Sequence, residues 1–242
     1  MIGFVLVFAL ITGTVGIVYG TSISGLEHAQ HVEKVNNVER AFDVMADNLK
    51  DLYRNGAPSR ATEIKLAGGS LKTGDPVSIQ VYAWNNSDPL DNETYQVNPE
   101  PIVYSDGRGS SLLYVDGAVL RGQSDGAVML VEPGWVIDEN RPVIPLVSTY
   151  SKGGGISGDG AVLVVAQRAG LRSLHEFRVN QGHSVLVNVT VVSPHIDAWK
   201  GFLEDRGFTV TVKDDHTLVG HIDTGAETLY IPKMEIEVSF DR

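Results

Sequence analysis

From Ile2 to Gly25 the chain carries no charged residue, and twelve of these positions are Leu, Ile, Val or Phe. The run IGFVLVFALITGTVGIVYGTSISG is apolar on every side, and about 20 such residues are enough to cross a hydrocarbon core. It has no basic start and exceeds the apolar stretch of a secretory signal, so the pattern predicts a membrane-resident helix. Beyond Leu26 the pattern changes to one apolar stripe. Val35, Val38, Phe42, Met45, Leu49 and Leu52 recur at spacings of three and four, while Glu33, Lys34, Glu39, Arg40, Asp43, Asp47 and Lys50 fill the other faces. This is the signature of an amphipathic helix packed on a globular partner. Asn55-Gly56 followed by Pro58 supplies a stop, and no proline precedes it. The expectation is a continuous helix to Arg54, about 80 Å long at 1.5 Å per residue.

After Pro58 the texture becomes short β-rich runs divided by turn residues. Strands are expected at 61–66, 77–84, 102–105, 111–115, 118–121, 127–131, 143–148, 161–166, 176–179 and 184–192. Asp106-Gly107, Asp116-Gly117 and Asp125-Gly126 read as tight hairpin turns. Ser193-Pro194 opens a short helix, with Ser193 as cap and Pro194 in the first turn, and Gly207 closes it. Three more strands follow at 208–212, 217–222 and 233–240. In the last, Met234, Ile236, Val238 and Phe240 alternate with polar neighbours. The expected fold is α+β: a long N-terminal membrane or filament helix, then a mainly antiparallel β-rich head with one short helix near the C-terminus. The expected divisions are 1–25, 26–56 and 57–242.

Within the apolar half, Thr12, Gly16 and Gly20 form one row at four-residue spacing, and Ala9 and Gly13 form another. Small residues in such rows let helix backbones approach closely. These five positions are the candidate assembly face, and the stripe from Val35 to Leu52 is the candidate helix–head contact.

Composition narrows the function. Lys and Arg number 19 against 30 for Asp and Glu, a formal net charge of −11, which argues against a nucleic-acid partner. With no cysteine, thiolate metal sites, disulfides and thiol nucleophiles are excluded. Gly153 to Gly158 matches G-x-G-x-x-G, but the expected strand at 161–166 stands where a dinucleotide site needs a helix. His28 with His31, and His216 and His221 near Asp214 and Asp215, lack three-ligand metal spacing. There is no nucleophile elbow and no H-E-x-x-H. Neither a cofactor nor a metal is expected, and the reading is of a structural protein rather than an enzyme. Three Asn-x-Ser/Thr sequons, at Asn85, Asn92 and Asn188, are candidate N-glycan acceptors, two of them in an expected polar loop at 85–99.

The run IGFVLVFALITGTVGIVYG, leading into an amphipathic helix and then a β-rich head, resembles the archaeal type IV pilin-like proteins, those of halophiles above all. The resemblance is specific over residues 2–55 and architectural beyond. It implies a subunit held in the membrane by its apolar half-helix, which then packs with copies of itself in the core of a surface filament. The chain departs from the family pattern in having no basic leader or cleavage motif ahead of Ile2 and no acidic residue near the start. That departure bears on polymerisation. The expected function is a structural subunit of a pilus-like filament at the cell membrane and extracellular surface. The alternative is a monomeric, membrane-tethered binding protein or minor tip subunit recognising a carbohydrate, surface or protein partner.

Overall fold

The computed structural model describes the backbone of residues 2–123, 126–170 and 172–242, with side chains described throughout these except at 17–25 and 27–28. Sixteen strands and two helices make up the described residues, so the chain is predominantly β. It forms two compact units, Met1–Glu39 and Arg40–Arg242, whose boundary falls inside helix α1 (Ile2–Asn55).

Two expectations fail at the N-terminus. Among the described residues no helix is long and apolar enough to cross a membrane. The membrane-spanning segment is therefore corrected. So is the α+β class led by a long membrane or filament helix, because β-sheet dominates the described chain.

Within the larger unit the strands form three sheets. Sheet A runs β1 (Ser59–Lys65), β11 (Ala161–Arg168), β16 (Thr228–Asp241) and β12 (Ser173–Arg178), with β9 (Leu146–Ser151) parallel to β16. Sheet B runs β10 (Ile156–Ser157), β2 (Ser70–Thr73), β5 (Ile102–Ser105), β6 (Ser111–Val115), β7 (Ala118–Gln123) and β8 (Gly126–Val131). Sheet C runs β14 (Thr209–Asp214), β15 (Thr217–Asp223), β13 (Val185–Val192), β3 (Ser78–Asn85) and β4 (Asp88–Val97). The other ladders between these strands are antiparallel. Alternation places the core: in β13, Val185, Val187, Val189 and Val191 are buried, and in β3 Ile79, Val81 and Ala83 are buried. These residues share one cluster with Leu113, Leu120, Trp135, Trp199 and Phe202.

Helix α2 (Ile196–Asp205) packs on β8, β13, β14 and β15. Ile196, Trp199, Phe202 and Leu203 are its buried face. Its start differs from the expectation. His195 stands at the N-cap without a side-chain cap, and the Ser193 hydroxyl instead accepts the His195 N–H at 3.1 Å. At the other end Gly207 takes φ +84 and donates its N–H to Glu204 O, closing the helix as glycine permits.

The polar segment 85–99 is also not a loop. Most of it is β4, paired in register with β3, with Asn92 opposite Trp84 and Gln96 opposite Gln80. Its sequence DPLDNETYQV buries only Tyr95 and Val97, leaving too few apolar positions to show alternation.

Candidate assembly surface

α1 begins with fifteen residues that carry no charge and are all exposed. Ile2 is 80% and Phe4 78% exposed, and Val5, Leu6, Val7, Phe8, Leu10, Ile11 and Val15 are each more than half exposed. Soluble proteins seldom leave contiguous apolar area of this kind uncovered. Covering one such side chain contributes about 1.5–3 kcal/mol.

The helix sorts these residues by angle. Phe4, Phe8, Ile11 and Val15 fall on one face at helical spacing, and the Phe4 and Phe8 rings stack with centroids 6.4 Å apart. Ala9, Thr12, Gly13 and Gly16 fall together on another, all exposed. At Gly13 and Gly16 an added Cβ would meet nothing within 4 Å, so nothing inside the chain calls for glycine there. Thr12 donates its hydroxyl to Phe8 O and Thr14 to Leu10 O, each at 2.8 Å. Both side-chain donors are thus satisfied within the helix, and the surface presents hydrocarbon and glycine backbone. Gly20, the remaining position of the expected face, lies outside the residues whose side chains are described, as does His28.

The electrostatics do not oppose contact here. A chain of net charge −11 repels its own copies. No acidic residue lies in the first turn of α1 and no charged one in residues 2–16, so association through this segment brings no like charges together.

The candidate helix–head stripe divides by position. Phe42, Leu49 and Leu52 are 0% exposed and Met45 1%, while Val38 is buried and Val35 half-buried. Ala46 and Tyr53, missed by the three-and-four count, are buried too. Polar contacts hold this end of α1 in the larger unit. Asn48 donates to Thr62 Oγ1 at 2.9 Å, Arg54 donates to Gly134 O at 2.9 Å, and Asp51 pairs with Arg60 at 3.1 Å. The Asn55 and Arg60 side chains donating to Asp51 hold its carboxyl below the usual carboxylate range.

The three sequons sit in different surroundings. Asn85 is 4% exposed; its amide donates to Asp91 and its oxygen accepts from Ser87 N and Oγ. Such an amide nitrogen is not open to a transferase. Asn188 lies on β13, flanked by Tyr82 and His221, with its oxygen 2.9 Å from His221 Nδ1. Asn92 is exposed on the edge strand β4, where its amide donates to Pro89 O at 2.9 Å and Leu90 O at 3.2 Å within solvent reach.

The glycine-rich segment 153–158 has a structural use. A Cβ at Gly155 would stand 2.6 Å from Lys72 Cβ and 2.9 Å from Leu71 O, so glycine there lets β10 reach β2. Among the described residues, no group of three or more His, Asp or Glu could hold a metal ion.

A family model described as "Family of unknown function (DUF7289)" matches residues 1–239. No curated protein and no solved structure matches the chain. The pilin, pilus and filament reading accordingly gains no named relative, and its membrane-spanning part is overturned because no helix among the described residues is long and apolar enough to cross a membrane.

Proposed function

Because the chain belongs to the DUF7289 family, whose function is not established, we propose from its own surfaces that it is a structural subunit, self-associating through the exposed apolar residues of α1 into a cell-surface homopolymer. One observation carries this reading. Residues 2–16 are apolar on all sides, uncharged and uncovered, and their glycines face open space. Phe4, Leu6, Phe8 and Leu10 supply most of the apolar area, and Ala9, Thr12, Gly13 and Gly16 supply the face on which a second helix comes close. The acidic remainder of the chain keeps assembled copies solvated and apart.

The test is sedimentation velocity and negative-stain microscopy of the full chain as detergent is removed, beside a Phe4→Glu/Phe8→Glu variant. Large regular particles from the unsubstituted chain, absent in the variant, are the expected result. A monodisperse monomer after detergent removal would falsify self-association.

A further inference from the structure

Away from α1, the larger unit holds a cleft of about 410 Å³ where the ends of sheets B and C meet. Its walls are Val77, just ahead of β3, with Val103 on β5, Leu113 on β6 and Leu120 on β7. Val77, Leu113 and Leu120 are buried, so the depth of the cleft is hydrocarbon. Asp75 and His216 are exposed and stand at the rim, and the half-buried His195 lies between the two levels. The volume is within the roughly 300–1,000 Å³ of small-molecule sites, and an apolar interior with few polar groups is their usual make-up.

The imidazole of His195 is the group that gives the cleft a polarity. Its position is set by Gly122, where a Cβ would come within 3.2 Å of His195 Cε1 and 2.6 Å of Ser111 Oγ. Among the described residues its ring nitrogens have no hydrogen-bond partner, and burial pushes its pKa down, leaving it neutral at pH 7. A neutral ring offers one donor and one acceptor. Among the described residues no Lys or Arg lines the cleft, and Asp75 stands at its mouth. A carboxylate or phosphate would therefore find no countercharge, and a cation would have to enter hydrocarbon.

We propose that this cleft binds an uncharged, largely hydrocarbon small molecule carrying one hydroxyl or carbonyl group. Its apolar part lies among Val77, Val103, Leu113 and Leu120, and its oxygen bonds to the His195 imidazole. Nothing in this site depends on self-association through α1. The probe is 4-benzoylbenzyl alcohol, photo-crosslinked to the full chain and mapped by peptide mass spectrometry, with benzyl alcohol as competitor. Adducts are expected in peptides holding Val103, Leu113 or Leu120. They should fall about fivefold or more once the competitor exceeds about four times its own Kd. Val103→Phe should reduce them similarly with an unchanged melting temperature. Competition in the unsubstituted chain serves as the readout even where that variant folds poorly. Labelling confined to residues 2–16, or cleft labelling that the competitor leaves unchanged, overturns the site.

Discussion

Asp116 accepts the backbone N–H of Val147 at 2.6 Å, and both residues lie in the interior, 2% and 1% exposed. Among the described residues the second carboxylate oxygen of Asp116 makes no hydrogen bond, and the Trp135 indole acts on the carboxyl from nearby. The residue is the first of the Asp116-Gly117 turn between β6 and β7, with φ +49 and +85 at the two positions, a type I′ arrangement that the dipeptide favours. Turn chemistry explains the aspartate, and its carboxylate then ties that hairpin to the start of β9.

Burial pushes the Asp116 carboxyl well above its ordinary 3.8, which fixes a pH dependence. In the unfolded chain it ionises as pH rises through 3.8, while in the fold it holds its proton to higher pH. The folded state therefore binds more protons across that window, and the stability from this residue is full below 3.8 and lost as pH rises toward the folded value. Asp116→Asn keeps an acceptor for Val147, tolerates positive φ and cannot ionise. It should melt close to the parent at pH 4 and several degrees above it at pH 8. Parallel melting curves for the two proteins across that range would show that Asp116 is already ionised in the fold.

Leu49→Ala should destabilise the larger unit by about 2–5 kcal/mol, the usual loss for a fully buried leucine. Val44→Ala, on the exposed side of the same helix at 54% exposure, should change stability by under roughly 0.5 kcal/mol. Urea unfolding followed by tryptophan fluorescence compares them. Equal midpoints for the two variants would mean that the stripe does not anchor α1 in this unit.

Gly155→Ala places a Cβ against Lys72 and the Leu71 carbonyl, whereas at neighbouring Gly154 a Cβ meets nothing within 4 Å. Substitution at 155 should lower stability by about 1–3 kcal/mol through overpacking, and substitution at 154 should be near neutral. Amide hydrogen exchange at Ile156 and Leu71 reads the pairing directly. Unchanged protection in Gly155→Ala would refute the close approach of β10 to β2.

In Gly16→Leu the added Cβ meets nothing within 4 Å, so the larger unit should melt as before. The sedimentation profile should nevertheless shift toward smaller species, since a leucine there holds two helix backbones apart. An unaltered profile would exclude the face of Ala9, Thr12, Gly13 and Gly16 from the contact.

Expressed in a glycosylating host, the chain should carry sugar at the exposed Asn92 and none at Asn85, which is 4% exposed with its amide engaged by Asp91. Peptide mapping with glycosidase release decides this, and an occupied Asn85 would mean that β3 and β4 pair only after modification.

The sequence reports most clearly the elements whose burial is one-sided. β5 falls at the expected residues because Ile102 and Tyr104 mark its buried face, and β6, buried on both faces from Leu112 to Val115, because turn residues bound its apolar run. The stripe of α1 is readable for the same reason as β5, with Phe42, Met45, Leu49 and Leu52 repeating every three or four residues. What escapes the sequence is held by partners. β4 is a strand because β3 lies beside it, its own residues being almost all polar. β2 and β10 are too short to show a period, and they pair across more than eighty positions. The helix start at Ser193-Pro194 misleads because Ser193 is spent on the turn before α2. The cleft at His195 leaves no sequence signal, since its walls come from strands distant in the chain.

One feature of sheet A sets an order of events. β16 is its hub, bound by β11 along Ile236–Asp241, by β12 along Thr228–Lys233 and by β9 along Lys233–Val238. During synthesis β1, β9, β11 and β12 all emerge before the strand that joins them, and β9 must wait for a parallel partner some eighty residues away. Until then their edges are unsatisfied and open to strands of neighbouring nascent chains. The sheet closes only once the segment around Ile236 has left the ribosome, so the interval before that is the one in which these edges can pair wrongly.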